Sequence, residues 1–356
     1  MTASYAYSQP SRVSAAAAAK VRSAAERLGY PGPHPGARSL RRGRAGSLGV
    51  VIGEHLSCAF DDPQAAQFLA GVAEECGAAG VGLTLVPTTG AEADVRRVAE
   101  AAVDGFVIWT TTDDDPVLDA VVATGLPAAI HAGPARPGMP AIGINDRAAA
   151  RGVGRLAFTG ARRPAVLSFP TDQRRLRQVV TGLPTGQITF PVTRARWEGL
   201  LEAWGDLGGH PERLRIAVCP YNTAACGEDL TRELLGSEPA PDAIAAMSDE
   251  LALAAMAVAR AAGLDVPADL AITGWDDIDA ASRADLSTVA QSLRHQGRLC
   301  ARLALDPDQP LDKADQPHWH VVARGSTRPA TTRVPPGAQR LSGGLRPSMT
   351  WAAPDQ

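Results

Sequence analysis

The sequence predicts an α/β fold with two subdomains, each a parallel β-sheet covered by helices. The first observation is that short runs rich in β-branched residues alternate with alanine-rich helical segments from Ser47 onward. The second is that these runs are apolar on both faces, which is typical of buried parallel strands. The third is that nine such runs are many for one compact sheet in a chain of 356 residues, so two sheets are expected.

The predicted strands and helices follow one another in strict alternation, which indicates right-handed crossover connections. Strands are expected at 47–52, 81–87, 105–109, 127–130, 141–144, 165–169, 215–219, 243–247 and 270–275. Helices are expected at 63–79, 92–102, 116–124, 146–158, 194–207, 223–235, 249–262 and 293–305. Because ligands of such folds bind beyond the carboxyl ends of the strands, we expect a site in the cleft between the two subdomains.

The two ends of the chain differ in composition from this core. Ser14 is a suitable N-cap for a helix that ends near Gly29. The segment 31–46 is rich in proline, glycine and arginine, which predicts a linker. After Thr327 the sequence is rich in proline, glycine and serine without periodicity, so a disordered tail is expected.

Charge is distributed unevenly along the chain. Residues 1–46 contain eight Lys or Arg and one acidic residue, whereas the remainder contains 27 basic and 37 acidic residues. A basic head on an acidic body is expected when one part of a protein contacts phosphates and the other does not. A solvated basic helix and linker is the alternative explanation.

The sequence lacks the motifs of common catalytic and cofactor sites. It contains no P-loop, HExxH or GxSxG motif, and the glycines of GRAGSLG precede the first strand instead of following it. His318 and His320 have no third ligand at a suitable spacing. The acidic run 113–115 fits a loop that caps the next helix better than a Mg²⁺ site. We therefore predict neither an enzyme nor a metal or cofactor site.

The cellular compartment of the protein is predicted from targeting segments that the sequence lacks. It has no long apolar run and no secretory signal, so a cytoplasmic protein is predicted. Its cysteines are scattered and never form CxxC, which argues against a disulfide framework and a zinc site. They are expected to be small buried hydrophobic residues. The five cysteines are Cys58, Cys76, Cys219, Cys226 and Cys300.

One long stretch carries a resemblance to a known family. It begins at Ser11 and reads SRVSAAAAAKVRSAAERLGYPGPHPGARSLRRGRAGSLGVV. It resembles the junction between the DNA-binding head and the core in the lactose-repressor/galactose-repressor (LacI/GalR) family. Together with the pieces below, the resemblance covers nearly all of residues 4–327. The further pieces, in the family's order, are IND (144–146), RxxG (196–199), AMSDELALAAM (246–256), PADLAITGWDD (267–277), LSTVAQ (286–291) and VVARGST (321–327).

The resemblance implies a helix-turn-helix head, a hinge and a core shaped like a periplasmic binding protein. It also implies a homodimer formed through the core, operator DNA as partner, and an effector in the cleft that changes how hinge and head sit on DNA. The expected boundaries are head 1–30, hinge 31–46, core 47–327 and tail 328–356. The expected subdomains of the core are 47–159 with 291–305, and 160–290 with 306–327.

The beginning of the sequence departs from the family pattern. Family members have further residues here, which form the first helix, the turn and most of the recognition helix. The opening MTASYAYSQP resembles only the end of the recognition helix, so a partial head that reads DNA poorly is expected. A start codon assigned too late and a truncated regulator both explain this pattern.

The resemblance also implies DNA contacts in the hinge and head. Leu40 matches the leucine that wedges between bases in the minor groove, and its alternative is an exposed linker leucine. Ser4 matches a phosphate-contacting position and Tyr5 a base-contacting one. The hinge arginines expected near phosphates are Arg38, Arg41, Arg42 and Arg44.

For the effector, the resemblance points to residues at strand ends. Carboxylate, guanidinium and amide groups beside aromatic rings suit a polyhydroxylated ligand such as a sugar. Arg196 could instead bind a carboxylate or phosphate, and core packing is the alternative role of Phe60, Trp109 and His131. The implied effector residues are Phe60, Asp61, Trp109, His131, Arg196, Ser248, Trp275, Asp276 and Gln291.

The leading hypothesis is a ligand-responsive transcription factor that represses its target genes. A cytoplasmic ligand-binding protein that has lost DNA binding is the second hypothesis, motivated by the partial head. An enzyme on the same scaffold is the third, and the missing catalytic motifs argue against it.

Overall fold

Two five-stranded sheets form the centres of two lobes, which confirms the predicted α/β fold with two subdomains. The computed structural model describes residues 2–8, 10–30, 43–53, 60, 62–182, 185–309 and 311–329. The predicted hinge residues Arg38, Leu40, Arg41 and Arg42, the site residue Asp61 and the tail from residue 330 lie outside these ranges. Within them, no helix is long and apolar enough to cross a membrane.

The N-terminal segment is helical. The helix that the sequence predicted begins at its expected cap, because the hydroxyl of Ser14 accepts a hydrogen bond from the backbone N–H of Ala17 (3.3 Å). The rings of Tyr7 and Tyr30 meet edge to face with centroids 6.2 Å apart. This contact holds the first helix against the end of the second. The elements are α1 (Thr2–Ser8), a 3₁₀ turn (Pro10–Arg12) and α2 (Ala15–Arg27).

The first lobe is built on an all-parallel sheet with the strand order β2-β1-β3-β4-β5. Its strands are β1 (Ser47–Ile52), β2 (Gly82–Pro87), β3 (Phe106–Trp109), β4 (Ala128–His131) and β5 (Ala141–Ile142). The helices that follow them are α3 (Pro63–Ala79), α4 (Ala93–Ala99) and α5 (Pro116–Ala123). β1, β3 and β4 are buried almost throughout, as their apolar composition predicted.

The second lobe has the strand order β10-β9-β6-β8-β7. Its strands are β6 (Pro164–Ser168), β7 (Gln178–Thr181), β8 (Arg215–Val218), β9 (Ala243–Ala246) and β10 (Ala271–Thr273). Its helices are α6 (Asp146–Phe158), α7 (Pro191–Asp206), α8 (Ala224–Leu235), α9 (Asp249–Ala261) and α10 (Asp279–Arg283). β7 runs antiparallel to β8 at the sheet edge, and the sequence analysis did not predict it.

Helix α6 lies with the second lobe, although the predicted boundary at residue 159 places it in the first. Its buried residues Ala150, Val153 and Phe158 share one core cluster with Trp197 of α7 and with the second sheet. Amphipathic periodicity predicts that a helix has a buried face, but it does not identify which sheet that face covers. The boundary of the first lobe therefore precedes α6.

The C-terminal part of the core returns to the first lobe and then to the second. Helix α11 (Leu293–Leu305) packs on α3, and two glycines permit the close approach. A Cβ atom on Gly71 would collide with the carbonyl of Arg294, and one on Gly297 with the carbonyl of Phe68. The remaining elements are an antiparallel ladder of β11 (Thr288–Ala290) with β12 (His320–Val322) and 3₁₀ turns at Thr185–Gln187, Pro211–Arg213 and Lys313–Asp315.

Candidate functional site

A cleft lies between the two lobes, at the carboxyl ends of strands from both sheets. It encloses about 850 Å³ of empty space, its open mouth included. The residues that line it from the first-lobe side are Asp62, Gln64, Trp109, Thr110, His131, Ala132, Gln291, Leu293 and Gln296. Those from the second-lobe side are Asp146, Phe169, Pro170, Arg175, Phe190, Val192, Thr193, Arg196, Asn222 and Asp276.

Arg196 of α7 is held rigidly in the wall of the cleft. Its Nε donates a hydrogen bond to Oδ1 of Asp146 (2.8 Å), and its Nη1 donates to the carbonyl oxygen of Met247 (2.7 Å). The guanidinium carbon lies 3.9 Å from the centroid of the Trp275 ring, in cation–π contact. Burial raises the pKa of the Asp146 carboxyl, and the charge of Arg196 opposes this rise. Arg196 and Asp146 are thus a buried ion pair.

A chain of hydrogen bonds crosses the cleft wall from Asp276 to His131. Gln291 donates from Nε2 to Oδ1 of Asp276 (2.8 Å) and accepts at Oε1 from Nε2 of Gln296 (3.0 Å). Oε1 of Gln296 lies 3.1 Å from Nε2 of His131. Because an amide oxygen only accepts, Nε2 of His131 carries the proton. Burial raises the pKa of Asp276 well above its usual value, and Arg196 and Gln291 oppose this rise.

His131 is a neutral, stacked imidazole. Burial lowers its pKa to about 4, so the ring is uncharged near neutral pH. It stacks on Trp109 with a centroid separation of 4.8 Å and an interplanar angle of 12°, and Phe68 packs 4.9 Å away. Its Nδ1 is buried and has no hydrogen-bond partner within the described residues. The lining of the cleft therefore includes a stacked pair of aromatic rings and one buried acceptor without a partner among the described residues.

Hydrogen bonds also connect the two lobes directly. Nδ2 of Asn222, after β8, donates to Oδ2 of Asp62, which precedes α3 (3.2 Å), and Oδ1 of Asn222 accepts from the hydroxyl of Ser248 (2.6 Å). Farther along the cleft, Nη1 of Arg194 donates to Oδ2 of Asp113 (2.6 Å). Asp113 belongs to the acidic run for which a capping loop was predicted, and it joins the lobes while Asp115 caps α5.

The structure brings five of the predicted effector residues into the lining of the cleft. They are Trp109, His131, Arg196, Asp276 and Gln291. Three others do not line it. Ser248 caps α9, accepting from the N–H of Leu251 (3.1 Å), and Trp275 is buried beneath Arg196. Phe60 is 65% exposed.

Sequence reasoning missed several residues of the cleft. Asn222 and Phe169 each follow a strand end, so the rule that found Trp109 could have found them. Asp146 is the last residue of the IND piece, which was read only as the start of a helix. Gln296 lies inside α11, where no local pattern separates it from other helix residues.

Comparisons with known proteins agree with this architecture. A family model described as a periplasmic binding protein-like domain matches residues 153–327. The transcriptional regulator Rv3575c of Mycobacterium tuberculosis, of the helix-turn-helix type, is 36% identical over 311 residues, covering 86% of this chain and 87% of the relative. The chain belongs to the LacI family of helix-turn-helix transcriptional regulators. The matched relatives are regulators, which confirms the prediction that the chain is not an enzyme.

Solved structures of LacI-family proteins resemble this regulator over most of its length. A LacI-family regulator from Corynebacterium glutamicum superposes with a TM-score of 0.70 at 30% identity, covering 92% of this chain and 94% of that one. The complex of the regulator CelR with cellobiose superposes with a TM-score of 0.64 at 25% identity, covering 88% and 91%. The core of this regulator therefore has the periplasmic-binding-protein-like fold that the resemblance implied.

Proposed function

We propose that this regulator is a cytoplasmic repressor that binds a small polyhydroxylated molecule, a sugar or a close relative of one, in the cleft between its lobes. The observation that carries the proposal is the combination, in one open cleft, of paired hydrogen-bonding groups with a stacked aromatic surface. Vicinal hydroxyls suit paired acceptors and donors, while the apolar face of a sugar ring suits the Trp109–His131 stack. The cellobiose complex of the structurally similar CelR supports this ligand class.

The charges of the cleft favour a neutral ligand over an anionic one. The guanidinium of Arg196 is already paired with Asp146 and with the carbonyl of Met247. A carboxylate or phosphate would have to compete with Asp146 for the guanidinium and would place another acidic group beside the carboxyls of Asp146 and Asp276. A hydroxyl group avoids both costs, because it can donate to a carboxyl oxygen without bringing in a second negative charge.

A ligand screen tests this part of the proposal. Sugars, polyols and their phosphates are added to the 356-residue chain, and binding is measured by thermal shift and then by calorimetry. Asp276→Asn is expected to weaken binding of the best ligand by about 2- to 10-fold, since an ordinary hydrogen bond contributes about 0.5–1.5 kcal/mol.

The neighbouring variant Asp277→Asn is the matched control. Asp277 has the same side chain, does not line the cleft, and instead pairs with Arg324 (2.7 Å). Both residues have positive φ, which Asn tolerates. Equal affinity of the two variants, or a preference for the phosphates, would overturn the proposed ligand class.

We further propose that the regulator binds operator DNA as a homodimer through its N-terminal segment. The family and the basic composition of residues 1–46 support this proposal. Tyr5 in α1 is the proposed base-reading residue, with the guanidinium of Arg12 5.8 Å from its ring centroid, and Ser4 is the proposed phosphate contact. Leu40 is proposed to wedge into the minor groove, with the neighbouring arginines Arg38, Arg41 and Arg42 on phosphates.

DNA binding is tested with the 356-residue chain and with the same chain extended by the in-frame residues encoded upstream. We expect binding to palindromic DNA whose affinity falls steeply with salt, and weaker specific binding by Leu40→Ala at an unchanged salt slope. Sedimentation equilibrium determines whether the bound species is a dimer. If neither chain binds DNA while the ligand still binds, the protein is a ligand-binding protein without DNA binding.

A further inference from the structure

Gln296 is a buried glutamine in the first turn of α11, with 1% of its surface exposed, and it lies in the lining of the cleft. Its amide is bonded at both ends. Nε2 donates to Oε1 of Gln291 (3.0 Å), and Oε1 lies 3.1 Å from Nε2 of His131. Burying an amide costs free energy unless its polar atoms are bonded, so these two partners are what allows a glutamine at this position.

The bond to Gln291 determines which end of the Gln296 amide faces His131. Gln291 donates from Nε2 to Oδ1 of Asp276 (2.8 Å), so the other end of its amide, the carbonyl oxygen, is turned towards Gln296. A carbonyl oxygen accepts and cannot donate, so only the NH2 group of Gln296 can bond to it. The carbonyl oxygen of Gln296 is then left to face His131. The direction of the whole chain of bonds is therefore set at Asp276.

The orientation of this amide determines which nitrogen of His131 carries the proton. A neutral imidazole has one N–H group, and the carbonyl oxygen beside Nε2 holds it there. Nδ1 is then an acceptor, and it has no hydrogen-bond partner within the described part of the chain. The ring is held in place by Trp109 and Phe68, whose centroids lie 4.8 and 4.9 Å away. Without the Gln296 carbonyl, either nitrogen could carry the proton.

We propose that Gln296 is a positioning residue that fixes the Nε2–H tautomer of His131 and thereby selects ligands with a free hydroxyl group opposite Nδ1. The proposal deepens the proposed function and rests on the cleft being the ligand site. A hydroxyl donates to Nδ1, whereas an ether or carbonyl oxygen at the same place would set two acceptors against each other. A site built around a hydrogen bond discriminates against the analogue that cannot form it, because a buried polar group is left unpaired.

NMR spectroscopy of the 356-residue chain, labelled with ¹⁵N at the histidine rings, tests the tautomer without any ligand. Protonated and unprotonated ring nitrogens give separate ¹⁵N signals in long-range ¹H–¹⁵N spectra. His131→Asn identifies the signals of His131 among the seven histidines. At neutral pH we expect Nε2 of His131 to be protonated and Nδ1 to be unprotonated. A protonated Nδ1 in the wild-type chain overturns the proposal, whether or not any variant folds.

Two methionine variants test the role of the amide chain. Gln296→Met removes the acceptor beside Nε2, so the ratio of the tautomers should move about 2- to 10-fold towards Nδ1–H, as expected for the loss of one ordinary hydrogen bond. Gln291→Met leaves Gln296 in place but frees its amide to turn the NH2 group towards His131, so a change in the same direction is expected. The exposed Gln67 on α3 does not line the cleft, and Gln67→Met is the control that should keep the wild-type ratio. An unchanged ratio in either cleft variant overturns the positioning role.

Two small probes test the acceptor itself. Ethylene glycol is the smallest vicinal diol, and 1,2-dimethoxyethane has the same skeleton with ethers in place of the hydroxyls. At molar concentration, ethylene glycol should shift the ¹⁵N signal of His131 Nδ1 towards that of a hydrogen-bonded nitrogen, and 1,2-dimethoxyethane should not. Equal responses to both probes, or no response to either, overturn the selection of donors. None of these spectra uses a ligand from the screen, so failure of the proposed ligand class is distinguishable from failure of this proposal.

Discussion

Replacing Arg196 by methionine should destabilise the second lobe strongly. Arg196 is 6% exposed and pairs with the buried Asp146, so Arg196→Met leaves a carboxylate in apolar surroundings. Breaking such a pair from one side costs about 3–5 kcal/mol. Loss of the hydrogen bond to the Met247 carbonyl and of the contact with the Trp275 ring acts in the same direction. We expect a decrease of about 3–5 kcal/mol in the free energy of unfolding near neutral pH.

The size of this decrease should depend on pH. Burial already raises the pKa of Asp146 in the presence of Arg196, and removal of the guanidinium raises it further. Below that pKa the carboxyl is protonated and its burial costs less. The stability lost in Arg196→Met should therefore be largest at about pH 8 and should shrink as the pH falls towards about 5.

Urea unfolding followed by tryptophan fluorescence measures this effect, because Trp197 and Trp275 lie in the core of the second lobe. Arg194→Met on the same helix is the matched control. Its pair with Asp113 has side chains that are 31% and 41% exposed, so a loss of about 1 kcal/mol or less is expected. If Arg196→Met loses no more stability than Arg194→Met, and its loss is constant across this pH range, the buried-pair argument is refuted.

Two further predictions concern buried groups of the first lobe. The wild-type chain should lose stability as the pH falls from about 6.5 towards about 4, because His131 binds a proton in the unfolded chain but not when it is buried in the folded one. His131→Asn should remove this part of the pH dependence, as measured by urea unfolding. Gly71→Ala should cost about 1–3 kcal/mol by forcing α3 away from α11. Gly77→Ala, also on α3 but with no atom near its added Cβ, should be neutral or stabilising when both glycine variants are unfolded in urea.

The fold was predictable from the sequence wherever burial left a strong pattern. Strands such as β1 and β9 are buried on both faces and read as continuous apolar runs, so their positions agree with the structure. β7 was missed because Gln178–Thr181 is half-buried at a sheet edge and pairs antiparallel. β11 and β12 have three residues each, too few for a period to be visible, and their pairing joins segments about thirty residues apart.

The site residues that the sequence predicted correctly are mainly those that lie at or just after the ends of strands. Trp109 and His131 are the last residues of β3 and β4, and their position alone brings them into the cleft. Trp275 and Asp276 are adjacent, yet only Asp276 lines the cleft, while Trp275 is buried against Arg196. Contacts such as that of Asn222 with Asp62 depend on how the loops fold back, which no spacing rule specifies.

The bonds that span the cleft also limit how firmly the lobes can be held together. The Asp113–Arg194 pair is partly exposed, and exposed ion pairs of this kind contribute about 1 kcal/mol or less. The Asn222–Asp62 bond is a single long hydrogen bond of 3.2 Å. Further hydrogen bonds between the lobes run from the backbone N–H of Asp113 to the carbonyl of Thr189 (2.9 Å) and from Nε2 of Gln173 to Oγ1 of Thr112 (3.0 Å). Contacts of this kind are weaker than the buried cores of either lobe, so the spacing between the lobes should change more easily than the lobes themselves. A ligand that bonds to Asp276 and His131 together should therefore change that spacing more than it changes either lobe.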